Sequence, residues 1–203
     1  MKTYYQNFVA ISLFIFLVNN FSYSQVSYGI KSGINLSTTD NLIAYPTTRV
    51  GWYVGGLSKI ALNKRISFQP EIYYSSKGNR SKNQLGSLKI TTRLNYINLP
   101  LLLNYKILNT THLIFGPELG YMTAAHIALS NGENFNKSDN YFHKFDIGLS
   151  LGIHHKMCKN IEAEFRYTFG FKTLYSTDLN GERNNPTNGA NRVIQIGLQY
   201  ILK

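Results

Sequence analysis

The sequence predicts an all-β fold, a closed antiparallel up-and-down transmembrane β-barrel of about eight strands. Three observations predict it. Apolar residues alternate with small or polar residues in one segment after another, which places the two kinds on opposite faces of a sheet. Tight turns and long polar loops join these segments alternately, and no segment has a sustained helical period. Only 15% of the 203 residues are charged, against about a quarter in a typical soluble domain.

The clearest pair of strands lies between Arg93 and Tyr121, with a turn at Leu108–Thr111. Alternate positions of both strands form one apolar and aromatic face: Ile97, Leu99, Leu101, Leu103, Tyr105, Leu113, Phe115, Pro117, Leu119 and Tyr121. The opposite face of the second strand carries Gly116, Glu118 and Gly120. One face is therefore suited to lipid or to an apolar core, and the other to a narrow interior.

The remaining elements follow the same plan. The other predicted strands are Val26–Leu36, Arg49–Leu62, Ile66–Ser75, Lys144–His154, Ile161–Phe169 and Ile194–Leu202. Tight turns are predicted at Asn63–Lys64 and His155–Asn160, and long loops at Ser37–Thr48, Ser76–Thr92, Thr123–Tyr141 and Ser176–Asn191. Both faces of Arg49–Leu62 carry apolar residues, so its register stays open.

The first 24 residues read as a cleaved signal peptide. Lys2 supplies the positive charge, Phe8–Val18 is a short apolar run, and Ser22-Tyr23-Ser24 forms a small-x-small cleavage site. We therefore expect residues 25–203 to form the barrel domain. Cys158 is the single cysteine, which excludes an intrachain disulfide.

The orientation of the faces separates a membrane barrel from a soluble barrel with an apolar interior. The polar face is rich in glycine, as a narrow lumen requires, rather than in lysine and glutamate. The apolar face carries aromatic residues towards the strand ends, which is typical of girdles at the lipid–water boundaries: Tyr28, Tyr74, Tyr105, Tyr121, Tyr167 and Tyr200. We therefore predict that the apolar residues face lipid.

An interior of this width is filled by side chains, so its charges must neutralise one another. The sequence predicts a structural network of lumen charges in which acids pair with bases: Glu71, Glu118, Asp146, Glu162 and Glu164 with Lys31, Lys106, Lys144 and Arg166.

Three runs of sequence resemble a known family. Phe68–Gly78 is similar to the "FQPELLYSxKG" strand of the small porin-like outer-membrane β-barrel proteins of Bacteroidetes, the PorT-related group. Tyr96–Tyr105 and Gly116–Gly120 are similar to two further motifs of that family, the second being "GPxxG". The resemblance covers essentially the whole mature chain. It implies an outer-membrane location and a barrel of about eight strands, but no particular activity.

The net charge of +11 and one basic loop suggest an anionic partner. Lys77, Arg80, Lys82 and Lys89 form a candidate anion-binding loop for lipopolysaccharide phosphates. The expected partners are outer-membrane lipids, lipopolysaccharide and an unidentified protein, and not nucleic acid.

The function expected from these features is structural or interaction-based: envelope integrity, adhesion or a part in an assembly. We expect no enzyme activity, cofactor or metal, because no catalytic motif is present. Two alternatives stay open. One is a lipid-modifying barrel enzyme, for which a Ser130–His126 centre is conceivable, and the other is a soluble secreted barrel that binds an apolar ligand.

Overall fold

A computed structural model describes residues 26–39, 46–82, 89–129, 134–136, 142–172 and 189–202. Nearly all of them lie in strands: β1 (Val26–Thr39), β2 (Pro46–Ala61), β3 (Ile66–Lys82), β4 (Lys89–Lys106), β5 (Thr111–Leu129), β6 (Asn134–Asn136), β7 (Phe145–Lys156), β8 (Ile161–Gly170) and β9 (Asn191–Leu202). The predicted signal peptide and Ser130 lie outside the described residues.

The strands form one closed antiparallel sheet. Neighbours in sequence pair around the ring, with β7 following β5, and β1 pairs with β9 to close it. The short strand β6 adds only to the end of β5. Eight strands therefore make the wall, as the alternation predicts, and closure leaves no unpaired edge among these eight.

The two ends of the barrel differ in their connections. Tight turns join β2 to β3, β4 to β5 and β7 to β8 at one end, where β1 also begins and β9 also ends. In the first turn the Asn63 side-chain oxygen accepts hydrogen bonds from the backbone N–H groups of Arg65 and Ile66, both at 2.8 Å. The longer connections all lie at the opposite end. We call these the tight-turn end and the long-loop end.

The faces have the orientation that the sequence predicts. Leu99, Phe115, Leu149 and Phe165 are each between 42% and 48% exposed on the outer wall, whereas Glu118 is 3% exposed in the interior. The outward aromatic residues include Tyr28, Tyr105, Tyr121, Tyr167 and Tyr200. The prediction of a closed barrel with its apolar face outwards is confirmed, and it excludes the alternative of an apolar interior.

The strands run further at the long-loop end than predicted. The predicted loop Ser76–Thr92 is wrong, because β3 and β4 stay paired as far as Lys82 and Lys89. The loop Thr123–Tyr141 is also too long, since β5 continues to Leu129. Beyond the apolar band a strand still needs its backbone ladder but no longer needs apolar outward residues. The polar composition of these strand ends therefore resembles that of a loop.

The structure fixes the register of β2, which the sequence left open. Gly51, Tyr53 and Leu57 point into the barrel, whereas Trp52 and Val54 lie on the outside. A Cβ atom at Gly197 would lie 2.2 Å from the Tyr53 hydroxyl, so this ring fits only because the opposing position has no side chain.

A small apolar cluster, formed by Leu94, Tyr96, Met122 and Phe142, fills the interior at the long-loop end. The part of the chain that the structure describes contains no helix with the length and hydropathy needed to cross a membrane.

Candidate functional site

The middle of the lumen holds four buried charges that we call the central cluster: Lys31, Glu71, Glu164 and Arg166. The Lys31 ammonium lies 2.8 Å from Glu71 and 2.9 Å from Glu164. The Arg166 guanidinium lies 2.7 Å from a carboxylate oxygen of each acid. Two bases thus balance two acids, and all four side chains are fully removed from solvent.

Aromatic and amide groups surround the central cluster. The Lys31 ammonium lies 5.1 Å from the ring centroids of both Tyr53 and Tyr73, a cation–π arrangement. The Tyr53 hydroxyl donates to Glu164 at 3.0 Å, and the Gln69 amide donates to Glu71 at 2.8 Å. These groups supply the two carboxylates with further hydrogen bonds, which helps to offset the desolvation of the buried charges. The Arg166 Nε–H has no partner among the described residues.

A second group lies between the central cluster and the long-loop end. Glu118 accepts four hydrogen bonds, two at each carboxylate oxygen. The donors are Tyr73 and Lys77 at one oxygen, at 2.9 and 3.0 Å, and Ser150 and Thr168 at the other, at 2.9 and 3.3 Å. The acid is therefore saturated as an acceptor.

The lumen at the tight-turn end carries one further ion pair. The Lys59 ammonium lies 2.8 Å from Glu162. His112 and His154 occupy directly opposite positions of β5 and β7 there. His154 is fully buried, with its Nε2 atom 2.9 Å from Glu164. Polar contacts therefore extend from this mouth to the central cluster.

Glu71, His154 and Glu164 bring three possible metal-ligand atoms within 4.8 Å of one another. The two carboxylates, however, already accept hydrogen bonds from Lys31 and Arg166, and the four charges sum to zero. A divalent ion would add uncompensated positive charge to this interior. The arrangement therefore supports a sealed, neutral lumen rather than a metal centre.

The structure corrects the prediction for Lys77. This residue was assigned to an anion-binding loop, but it lies in β3, is 2% exposed and pairs with Glu118 inside the barrel. The physical reason is the extra length of β3, which continues the inward alternation past Ser75. Arg80 and Lys89 are exposed at the ends of β3 and β4. Lys82 ends β3.

Three members of the predicted charge network are placed differently. Lys144 is exposed on the bend before β7, so it does not line the lumen. Lys106 is only half-buried beside the turn after β4 and makes no ion pair within the described ranges. Asp146 does line the lumen, but its hydrogen-bond partner is the Asn191 amide, at 2.6 Å, and not a base. Glu118 and Glu162 pair instead with Lys77 and Lys59.

The predicted lumen network consists of charged residues alone and therefore leaves out several polar residues that take part in it. Tyr53, Tyr73, His154 and Gln199 are all buried there. Each shares the inward parity of a charged residue on its own or a neighbouring strand, so the same alternation contained the signal. The open register of β2 concealed Tyr53, and a network drawn only from residues of opposite charge left out Tyr73, His154 and Gln199.

A group of exposed cations, here called the basic rim, lies at the long-loop end of β3 and β4. It consists of Arg80, Lys89 and Arg93, which share the outward face of the two strands. The buried Arg49 guanidinium lies behind them, donates to the Lys77 carbonyl at 2.9 Å and experiences the positive charge of Arg93 and Arg80. Like charges so close together favour an anion at this surface.

Comparison with known proteins gives one family and a set of similar folds. The sequence model of the family described as "Outer membrane protein beta-barrel domain" matches residues 6–176. No curated protein matches the chain in sequence.

Several solved structures resemble the barrel. Neisserial surface protein A has a TM-score of 0.56 and 13% identity, covering 87% of this chain and 98% of its own. Ail of Yersinia pestis, in complex with the heparin analogue sucrose octasulfate, has a TM-score of 0.52 and 11% identity, covering 88% and 99%. A major outer membrane protein from Thermus thermophilus has a TM-score of 0.50 and 10% identity, covering 87% and 99%. At these identities the likeness shows the fold alone.

Proposed function

The chain belongs to the outer-membrane protein β-barrel family, and we propose that it is an integral outer-membrane protein with a structural and interaction role, whose basic rim binds lipopolysaccharide phosphates. The middle of the lumen is filled by the ion pairs of the central cluster and by the tyrosines and amides that bind them. The work of the protein therefore falls to its outer surface and long-loop end, and it does not include catalysis.

This proposal rests on the position of the basic rim. Ile97 is an exposed apolar residue on the outer face of β4, and Arg93 lies four residues further along the same face. At about 3.4 Å per residue, the Arg93 Cα lies roughly 14 Å along the strand from that of Ile97. The outward positions of β4 beyond Ile97 are polar or charged, so the basic rim lies past the end of the apolar face.

The chemistry of the basic rim fits a phosphate. A guanidinium forms two parallel hydrogen bonds with one phosphate and keeps its charge at any physiological pH. Arg80 and Arg93 make no ion pair within the part of the chain that the structure describes, so both remain available to an anion. The complex of Ail with sucrose octasulfate shows that a barrel of this fold type holds a polyanion, which supports the same class of ligand here.

The resemblance of Phe68–Gly78, Tyr96–Tyr105 and Gly116–Gly120 to the PorT-related barrels supports a finer assignment. On that basis we propose that the chain is one of the small porin-like barrels of Bacteroidetes and that an envelope protein is a further partner. Co-purification of a specific envelope protein with the solubilised barrel is the measurement that tests this part.

The binding experiment compares the two ends of one molecule. The triple variant R80E/K89E/R93E removes the basic rim, and K64E/R65E/K159E makes the same charge change with exposed residues of the tight-turn end. We expect wild type and the second variant to be retained on immobilised lipopolysaccharide in low salt and released by high salt. Retention by the first variant should fall at least about tenfold, from the loss of several charge-assisted contacts. Equal retention by both variants would disprove the role of the basic rim.

A further inference from the structure

A cavity lies inside the barrel between Glu118 and the long-loop end. Its volume is about 10 Å³, the room for a single water-sized species. Gly120, Gly148 and Gly170 form part of its wall. A Cβ atom at Gly120 would come no closer than 3.3 Å to the Asn98 and Asp146 side chains. The cavity therefore remains open because the glycines in its wall carry no side chains.

Two oxygen atoms adjoining the cavity have no hydrogen-bond partner within the described part of the chain. They are Oδ1 of Asp146, a residue that is 7% exposed, and Oδ1 of Asn191, which is 1% exposed. The carboxylate of Asp146 accepts the Asn191 amide N–H at 2.6 Å through Oδ2. Because a carboxylate only accepts, the Asn191 amide must direct its NH₂ group there, which leaves its own oxygen without a donor.

Neither Lys77 nor Thr168, two donors that line the cavity, supplies the missing hydrogen. Lys77 is the nearest base, but its ammonium lies 2.8 Å from Asn98 and 3.0 Å from Glu118. Thr168 donates its hydroxyl hydrogen within the Glu118–Ser150 group. A buried acceptor without a partner is costly, and a buried carboxylate more so.

The charges around the cavity do not cancel. With the Asp146 carboxylate ionised, Lys77 contributes +1, and Glu118 and Asp146 each contribute −1, so one negative charge remains at Asp146. A single positive charge restores neutrality, whereas a divalent ion would leave an excess.

We propose that this cavity is a binding site for one small monovalent cation of the sodium type, with Asp146 Oδ1 and Asn191 Oδ1 as its protein ligands. The ion would join the first residues of β7 and β9 at the long-loop end, where both strands enter the wall. It would complete the neutralisation of the lumen that the ion pairs of the central cluster begin.

The first test measures the melting temperature of the whole barrel in detergent, in sodium chloride and in choline chloride of equal ionic strength. Choline is too large for the cavity, so we expect wild type to melt about 3 °C higher in sodium. Asp146→Asn keeps the side-chain shape but removes the charge, and should abolish the difference. Glu162→Gln, a carboxylate at the tight-turn end, is the matched control and should keep it.

Three results would overturn the proposal. They are equal melting of wild type in both salts, an unchanged sodium effect in Asp146→Asn, and a loss of the effect in Glu162→Gln as well. Greater stabilisation by calcium than by sodium would overturn the monovalent assignment.

The second test does not depend on the folding of a variant. Crystals of the wild-type barrel with thallium(I) as the probe should show an anomalous peak within coordination distance of Asp146 and Asn191. A water molecule with no anomalous signal at that position would disprove the site.

Discussion

Arg166 binds Glu71 through two hydrogen bonds, of 3.0 and 2.7 Å, across the full width of the barrel. The two residues belong to β8 and β3, which lie four strands apart around the ring in either direction. Lys31 on β1 lies two strands from each and contacts Glu71 and, from β8, Glu164. The Arg166–Glu71 contact crosses the barrel, and Lys31 contacts an acid on each of the same two strands. Together they connect β1, β3 and β8.

Loss of Arg166 should be severely destabilising. In Arg166→Met the chain keeps a side chain of moderate length, but two buried carboxylates then share one base. We expect the free energy of unfolding to fall by about 3–5 kcal/mol, measured by urea titration of the barrel refolded in lipid vesicles. In R166M/E71Q one of the unpaired acids is removed, and part of the loss should be regained. A single variant within about 0.5 kcal/mol of wild type would show that the central cluster does not stabilise the fold.

Gly197 should tolerate no side chain. A Cβ atom there would lie 2.2 Å from the Tyr53 hydroxyl and 2.3 Å from the Ser32 carbonyl oxygen. Gly197→Ala should therefore lose at least about 1–3 kcal/mol and show a reduced fraction of heat-modifiable, folded protein on gels. Gly56→Ala is the control, since its nearest contact would be 3.7 Å away. Equal folding of the two variants would contradict the close packing of Tyr53.

The loss in the free energy of unfolding caused by a charge on the outer wall should depend on its depth in the membrane. Leu149 and Leu108 are both exposed, at 47% and 62%, but Leu149 lies in the middle of β7 and Leu108 in a tight turn. Leu149→Arg should lose about 2–4 kcal/mol and Leu108→Arg about 0–1 kcal/mol, measured by unfolding in vesicles. Similar losses for the two variants would contradict the position of the apolar band.

The filled lumen should not conduct. Wild-type barrel in planar bilayers should give no large, stable channels, because the four side chains of the central cluster are fully removed from solvent and bound to one another. Steady conductance of the size seen for wide porins would contradict the sealed interior.

Lys77 should affect stability and not binding. Lys77→Met removes the only ion-pair partner that the described chain offers Glu118, so we expect a loss of about 3 kcal/mol or more in the free energy of unfolding. Retention of the folded fraction on lipopolysaccharide should match that of wild type, since the side chain is buried. Weaker retention of folded Lys77→Met would restore this residue to the anion-binding surface.

In β3, Glu71 and Tyr73 lie two residues apart and both point inwards, as alternation predicts, because parity along a strand is a local property of the backbone. The end of the strand was misjudged by several residues, since Lys77 and Arg80 look like loop residues. What distinguishes them is their pairing with β4, which composition does not encode.

Alternation within single segments is enough to predict about eight strands, an apolar outward face and inward acids such as Glu71 and Glu118, but it wrongly assigns Lys144 to the lumen. Which charges meet is fixed only when the strands close into a ring. Glu118 binds Lys77 and Glu162 binds Lys59, while Asp146 is left with an amide. Contacts across a lumen depend on how many strands close the ring and on how far each is staggered against the next, and no single segment contains that information.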